Sequence, residues 1–153
     1  MKEKDMYELI DYPKFIRIPW CVLETTEWYK WINSPESKVW FRMYKNTIRK
    51  QMKSGLGKKI YDEYYKKGLI CMRWKQKDMA LDIGIKSKGQ VSKLINSLAE
   101  KGIIKKHIDK WNNKRIIIYE MGTHDKTVST NENMHLYTYV ISTELDNKVD
   151  KFK

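Results

Sequence analysis

The chain is poor in the residues from which catalytic and metal sites are commonly built. It has two cysteines and three histidines in 153 residues. Cys21 and Cys71 lie inside apolar stretches with no metal-ligand spacing. Both are expected as buried, reduced thiols of a cytoplasmic protein rather than as a disulfide. His107, His124 and His135 are scattered, with no carboxylate or cysteine partner at a useful spacing. No metal and no other cofactor is expected. Gly55-Leu56-Gly57-Lys58-Lys59 lacks the further glycine and the Ser/Thr of a phosphate-cradling loop. Tyr61, Tyr64 and Tyr65 stand without the histidine cluster or arginine set that a tyrosine nucleophile needs. The chain is therefore not expected to be an enzyme or to take a small-molecule substrate. No run approaches the roughly 18 consecutive apolar residues of a membrane span. Met1-Lys2-Glu3-Lys4-Asp5-Met6 has mixed charge and leads into no apolar block, unlike a signal peptide. No repeat and no low-complexity block interrupts the chain.

Acidic residues are also in short supply, which leaves a net charge of +12. The imbalance is local. Residues 1–34 carry five Lys/Arg against six Asp/Glu, and residues 121–153 carry four against five. Residues 35–120 carry twenty-two against eight. A basic field confined to one segment concentrates a polyanion there and speeds encounter with it. A length of 153 residues suits one domain, with a 41% hydrophobic share sufficient for a core.

Residues 15–20 alternate apolar and polar as a short strand or extended arm, with Pro19 ending its pairing or holding it at a sheet edge. Thr25 caps a short helix that runs to Ile32. Ser34-Pro35-Glu36 starts another, carrying the stripe Val39, Trp40, Met43, Tyr44, Thr47 and Ile48 until Gly55 and Gly57 break it. Residues 58–67 read as helix again, ended by Gly68, and residues 69–74 as a strand. The polar stretch 122–133 precedes a second alternating segment, residues 134–141, read as a C-terminal strand.

Residues 76–119 have the most specific pattern. Met79, Ala80 and Ile83 recur at helical spacing. Gly84 is suited to a left-handed turn, with Ile85 plugging it. Ser87 and Gln90 have the spacing of a capping box, so a second helix is expected from Lys88 to about Lys101, stopped by Gly102. Residues 103–108 and 115–119 look like two strands joined by the polar tip Asp109-Lys110-Trp111-Asn112-Asn113-Lys114. Two helices, a turn and a basic hairpin in this order form a winged helix-turn-helix. The fold class is thus α+β: a winged helix-turn-helix (core 15–120; helix-turn-helix 76–102; wing 103–119) with a helical N-terminal part and an extra C-terminal strand in the extension 121–153.

The order of parts from residue 15 also resembles the N-terminal domain of replication initiator proteins from plasmids and phages of low-GC bacteria. Phe15-Ile16-Arg17-Ile18-Pro19, Trp28-Tyr29-Lys30 and the Ser34-capped helix carry the resemblance, and the stretch 51–68 is longer than in that pattern. No second domain is expected. The resemblance implies a sequence-preferring double-stranded DNA-binding protein in replication initiation or an accessory role. A small winged-helix transcription regulator is the alternative, since the helix-turn-helix is also similar to regulators whose terminal helices build a dimer. A winged helix meeting an acidic protein partner, without DNA, is a third.

In a winged helix the second helix of the motif enters the major groove. Val91, Leu94, Ile95 and Leu98 should point inward, leaving Lys88, Gln90, Ser92, Lys93 and Asn96 toward DNA. Gln90 and Asn96 have the amides that pair with adenine, although Gln90 is equally a helix cap. Lys88 and Lys93 contact guanine or phosphate, or are simply solvated. Gly89 costs helix propensity and allows backbone to approach a phosphate. Lys110, Asn112, Asn113, Lys114 and Arg115 are wing candidates for phosphates. Trp111 either folds back on the core or wedges against sugar and base. A second copy of the chain on the DNA is the expected partner.

Overall fold

The computed structural model describes residues 16–75, 78, 84, 88–125 and 132–151. Six α-helices and a four-stranded antiparallel sheet are present among them: α1 Trp20–Leu23, α2 Thr26–Ile32, α3 Pro35–Lys45, α4 Gly55–Glu63, β1 Leu69–Met72, α5 Lys88–Glu100, β2 Lys105–Trp111, β3 Lys114–His124, β4 Glu132–Met134 and α6 His135–Lys151. The class is α+β. No helix among the described residues is long and apolar enough to cross a membrane.

β3 is the centre of the sheet. It pairs with β2 along its first half, with β1 along its second, and with β4 at its end. Side chains alternate across the pleat, so β3 feeds two cores. Tyr119 and Met121 join the main cluster, with Ile70 and Met72 of β1, Val39, Trp40 and Met43 of α3, Val91, Ile95 and Leu98 of α5, and Leu136 and Val140 of α6. Ile116 and Ile118 point the other way and meet Cys71 and Ile60, the latter from α4. The sheet therefore lies between the α1–α3, α5 and α6 layer on one face and α4 on the other.

Local signals set several elements as expected. The Thr25 hydroxyl accepts from the Trp28 backbone N–H at 3.1 Å and starts α2. Pro35 occupies the first turn of α3, where its missing N–H costs nothing. Gly68 and Gly102 take φ of 91° and 76° where the chain leaves its helical turns. Gly122 answers a different need: a Cβ there would lie 2.5 Å from the Asn133 carbonyl oxygen and 2.8 Å from the Met134 Cα. Only a glycine lets β4 approach β3 this closely.

Other expectations are corrected. Of residues 134–141, only Met134 is in a strand, the short β4 Glu132–Met134, and residues 135–141 open α6. Leu136, Tyr137 and Val140 are buried while Thr138 is exposed. That is helical spacing, and burial against β3, α1 and α2 overrides the strand preference of Thr138, Val140, Ile141 and Thr143. Of the two readings of residues 15–20, the strand is not formed: residues 16–19 are neither helix nor strand, the Arg17 carbonyl accepts from Tyr137 Oη at 2.7 Å, and Pro19, extended, leads into α1 at Trp20. α3 ends at Lys45, short of the glycines, because the Ile48 N–H turns away to the Cys71 carbonyl at 2.9 Å. Gly55 opens α4 instead of breaking a helix, and α4 stops at Glu63 before a 3₁₀ turn, Tyr65–Lys67. Cys21 is exposed, since α1 turns Val22 inward; Cys71 is buried, and burial followed by the Glu120 charge pushes its thiol up to about 12. Both cysteines are free.

Candidate nucleic-acid interface

α5 is placed by its apolar stripe. Val91, Ile95 and Leu98 are buried and Leu94 is half-buried against the same core. On the side facing α3, one buried carboxylate holds the helix. Glu36 accepts from Trp31 Nε1 at 2.9 Å, from Ser97 Oγ at 2.7 Å and from Lys101 Nζ at 2.8 Å. The remaining face of α5 presents Gly89, Gln90, Lys93, Asn96 and Glu100 to solvent, with Ser92 half-exposed at its margin. Lys88 is the first residue of α5; its side chain lies outside the described residues. The expected first helix of the motif, with Met79, Ala80, Ile83 and Ile85, lies outside them too, as does Ser87. Asp78 is helical and Gly84 has φ 70°, the left-handed turn its position called for.

The hairpin tip is tighter than the six polar residues suggested. β2 and β3 stay paired to Trp111↔Lys114, and Asn112-Asn113 alone make the turn, with φ of 51° and 63°. Asparagine tolerates such angles, and two in succession form the turn whose twist suits a hairpin. The pairing then sorts the candidates. Cross-strand partners share a face, so Lys110 lies with Arg115 and Trp111 lies with Lys114. Trp111 is half-buried against the small cluster of Ile60, Cys71, Ile116 and Ile118, the fold-back of its two readings, and its partner Lys114 therefore lies on the α4 side.

Lys110 and Arg115 lie on the opposite face, toward α5. Lys106 Nζ on that same face donates to Asn96 Oδ1 at 2.6 Å, so β2 and α5 present one surface. Gln90, Lys93 and Asn96 lead through Lys106 and Ile108 to Lys110 and Arg115, all exposed, with Glu100 as the exposed acid of α5 among the described residues. Lys106 and Ile108 escaped the sequence reading. Exposure alternates along β2 and puts Lys106, Ile108 and Lys110 on one face, and the only mark in the sequence is Ile108, 65% exposed, the side chain a solvated strand would not choose.

On the other face, α4 is tied to the hairpin. Asp109 accepts from Tyr64 Oη at 2.8 Å and lies 3.4 Å from Lys59 Nζ. The Tyr64 bond, then that from the Lys110 N–H, holds the Asp109 carboxyl below its ordinary range. The shallow cleft there is lined by Lys58, Lys59, Asp62, Glu63 and Trp111, and Lys110, although the register puts its side chain on the other face of the sheet, borders it at the hairpin end. Lys58 pairs with Asp62 and Lys59 with Glu63, which leaves Lys110 as the bordering cation with no ion pair among the described residues. The histidines are engaged structurally. His107 and His135 both bond Glu120, at 2.9 and 2.5 Å, and His124 Nε2 lies 2.6 Å from the Tyr65 carbonyl. No group of three or more His, Cys, Asp or Glu among the described residues is placed to hold a metal ion.

Comparison with known proteins finds no matching family model, no significantly similar curated protein and no significantly similar solved structure.

Proposed function

We propose that this chain is a winged-helix protein that binds double-stranded DNA with sequence preference, with α5 in the major groove and the β2–β3 hairpin as its wing. It belongs to a plasmid or phage setting, in replication initiation or as an accessory factor, and is not an enzyme. The observation that carries the reading is the continuous exposed surface from Gln90, Lys93 and Asn96 to Lys106, Lys110 and Arg115. Amides and cations sit on the helix that would meet base edges; cations without amides sit on the strands that would follow the backbone. One winged helix buries only about 600–1,000 Å² on DNA, so two copies on a repeated site are expected.

A second reading, a small transcription regulator, is favoured by one observation. The C-terminal segment is a helix, α6, as in regulators whose terminal helices build a dimer.

The test is fluorescence anisotropy of a random duplex across a salt series. A linear, steep fall of log affinity with log salt is expected. A protein-interaction module would show no duplex affinity even at low salt, and that result would end the DNA reading.

A further inference from the structure

The charge excess is larger than the α5–hairpin surface uses. Between Ser37 and Tyr61 the chain has eight Lys/Arg and no Asp or Glu. Three of the eight lie on α3. Lys38, Arg42 and Lys45 are spaced i, i+4, i+7, which at about 100° per residue puts them within roughly 60° of arc. The buried Glu36, Val39, Trp40 and Met43 occupy the opposite side of the helix. All three cations are exposed, and none makes a side-chain hydrogen bond or ion pair among the described residues.

This arrangement differs from α4 and α2. On α4, Lys58 pairs with Asp62 and Lys59 with Glu63; on α2, Lys30 pairs with Glu27. The acid of α3, Glu36, is instead turned inward to Trp31, Ser97 and Lys101. Like charges one turn apart destabilise a helix. The helix dipole compensates this at Arg42 and Lys45 in the last turn, but not at Lys38. Lys50 and Lys53, both exposed, continue the charge past the helix end.

We infer that the outer face of α3, Lys38, Arg42 and Lys45, is a second contact surface for the phosphate backbone of duplex DNA, separate from α5 and the hairpin. The stripe is about 10 Å long at 1.5 Å per residue, long enough to face several phosphates of one strand. Amides and aromatic rings are missing from its exposed side, so it recognises charge and not sequence. An anionic membrane is the less suitable occupant: none of the large exposed apolar side chains lies on α3, and interfacial binding needs an apolar face to insert.

This inference rests on the duplex-binding reading, and the experiment separates the two. The parent and the triple variant Lys38→Gln/Arg42→Gln/Lys45→Gln are titrated with a random duplex of about 30 base pairs across a salt series, with thermal unfolding of each as the folding control. Loss of up to about three units of salt slope in a variant that unfolds as a folded protein does is expected. If the variant is poorly folded, Lys38→Gln alone serves, with a loss of about one unit expected. An unchanged slope against a parent that binds overturns the second surface and leaves the α5 reading standing. A parent without duplex affinity overturns both. A parent that binds anionic phosphatidylserine vesicles through this stripe, with the duplex slope unaffected by the variant, overturns the choice of occupant.

Discussion

Removing the Glu36 side chain should loosen α5 from α3 without touching the exposed face of α5. The carboxylate is 4% exposed and accepts three hydrogen bonds, from Trp31 Nε1, Ser97 Oγ and Lys101 Nζ. In Glu36→Ala the three donors lose their acceptor unequally. Lys101 is 39% exposed at its side chain and rehydrates, so its ion pair contributes little. The Trp31 N–H lies in a buried ring, and an unsatisfied buried donor costs about 1–3 kcal/mol. Ser97 is half-buried and loses about 1 kcal/mol. The sum is about 2–4 kcal/mol, or roughly 4–16 °C in Tm for a domain of this size. Glu36→Gln keeps one acceptor oxygen and should cost about half as much. Urea unfolding followed by tryptophan fluorescence measures both. A double-mutant cycle with Trp31→Phe should show coupling above about 0.5 kcal/mol. A cost for Glu36→Ala below that figure would mean that the carboxylate merely tolerates its site, and the account of how α5 is positioned would be wrong.

The face assignment in the hairpin gives a further expectation: Lys110→Ala/Arg115→Ala should lower the salt slope of duplex binding by up to about two units, whereas Lys114→Ala should leave it nearly unchanged. The reverse ranking would show that the α4 side of the hairpin meets the backbone. Gly122→Ala should destabilise the fold by about 1–3 kcal/mol in urea, since its Cβ would meet the Asn133 carbonyl at 2.5 Å; a neutral substitution would show that β4 shifts freely. For Glu120, burial pushes the carboxyl up, but the bonds and charges of His135 and His107 outweigh it and hold it below its ordinary 4.5. The stabilisation is therefore present above that value and lost as pH falls through the lower folded value. Glu120→Gln should flatten the acid-side loss of urea stability, and curves parallel to the parent would count against the pairing. Sedimentation on the best selected duplex should give two copies per site; a one-to-one complex would exclude the paired arrangement.

The elements whose signals are local are legible in the sequence. The Thr25 cap, Pro35, the α5 stripe and the Gly102 stop each specify a boundary through their own chemistry. Those decided by long-range packing are not legible there. α6 has strand-favouring residues but buries a helical face on β3, α1 and α2, which only the assembled chain supplies. The end of α3 depends on Ile48 reaching the Cys71 carbonyl, a contact between distant parts of the sequence. The candidate site was legible by residue type and not by face. Gln90, Lys93 and Asn96 followed from the helical stripe. The separation of Lys110 and Arg115 from Trp111 and Lys114 needed the β2–β3 register, and the bond from Lys106 to Asn96 joins side chains that only the folded chain brings together. No sequence pattern marks Glu36 as buried.

The most direct measurement is the affinity of Gln90→Ala, Lys93→Ala and Asn96→Ala, each compared with the parent, for the best duplex selected from a random pool and for an unrelated duplex. If α5 reads bases, each residue that does so should cost the selected duplex about 1–3 kcal/mol. The two amide changes should leave the unrelated duplex almost unaffected, because neither amide carries charge. Unchanged affinity for the selected duplex in all three would show that α5 is not the reader, and the proposed function would fall with it.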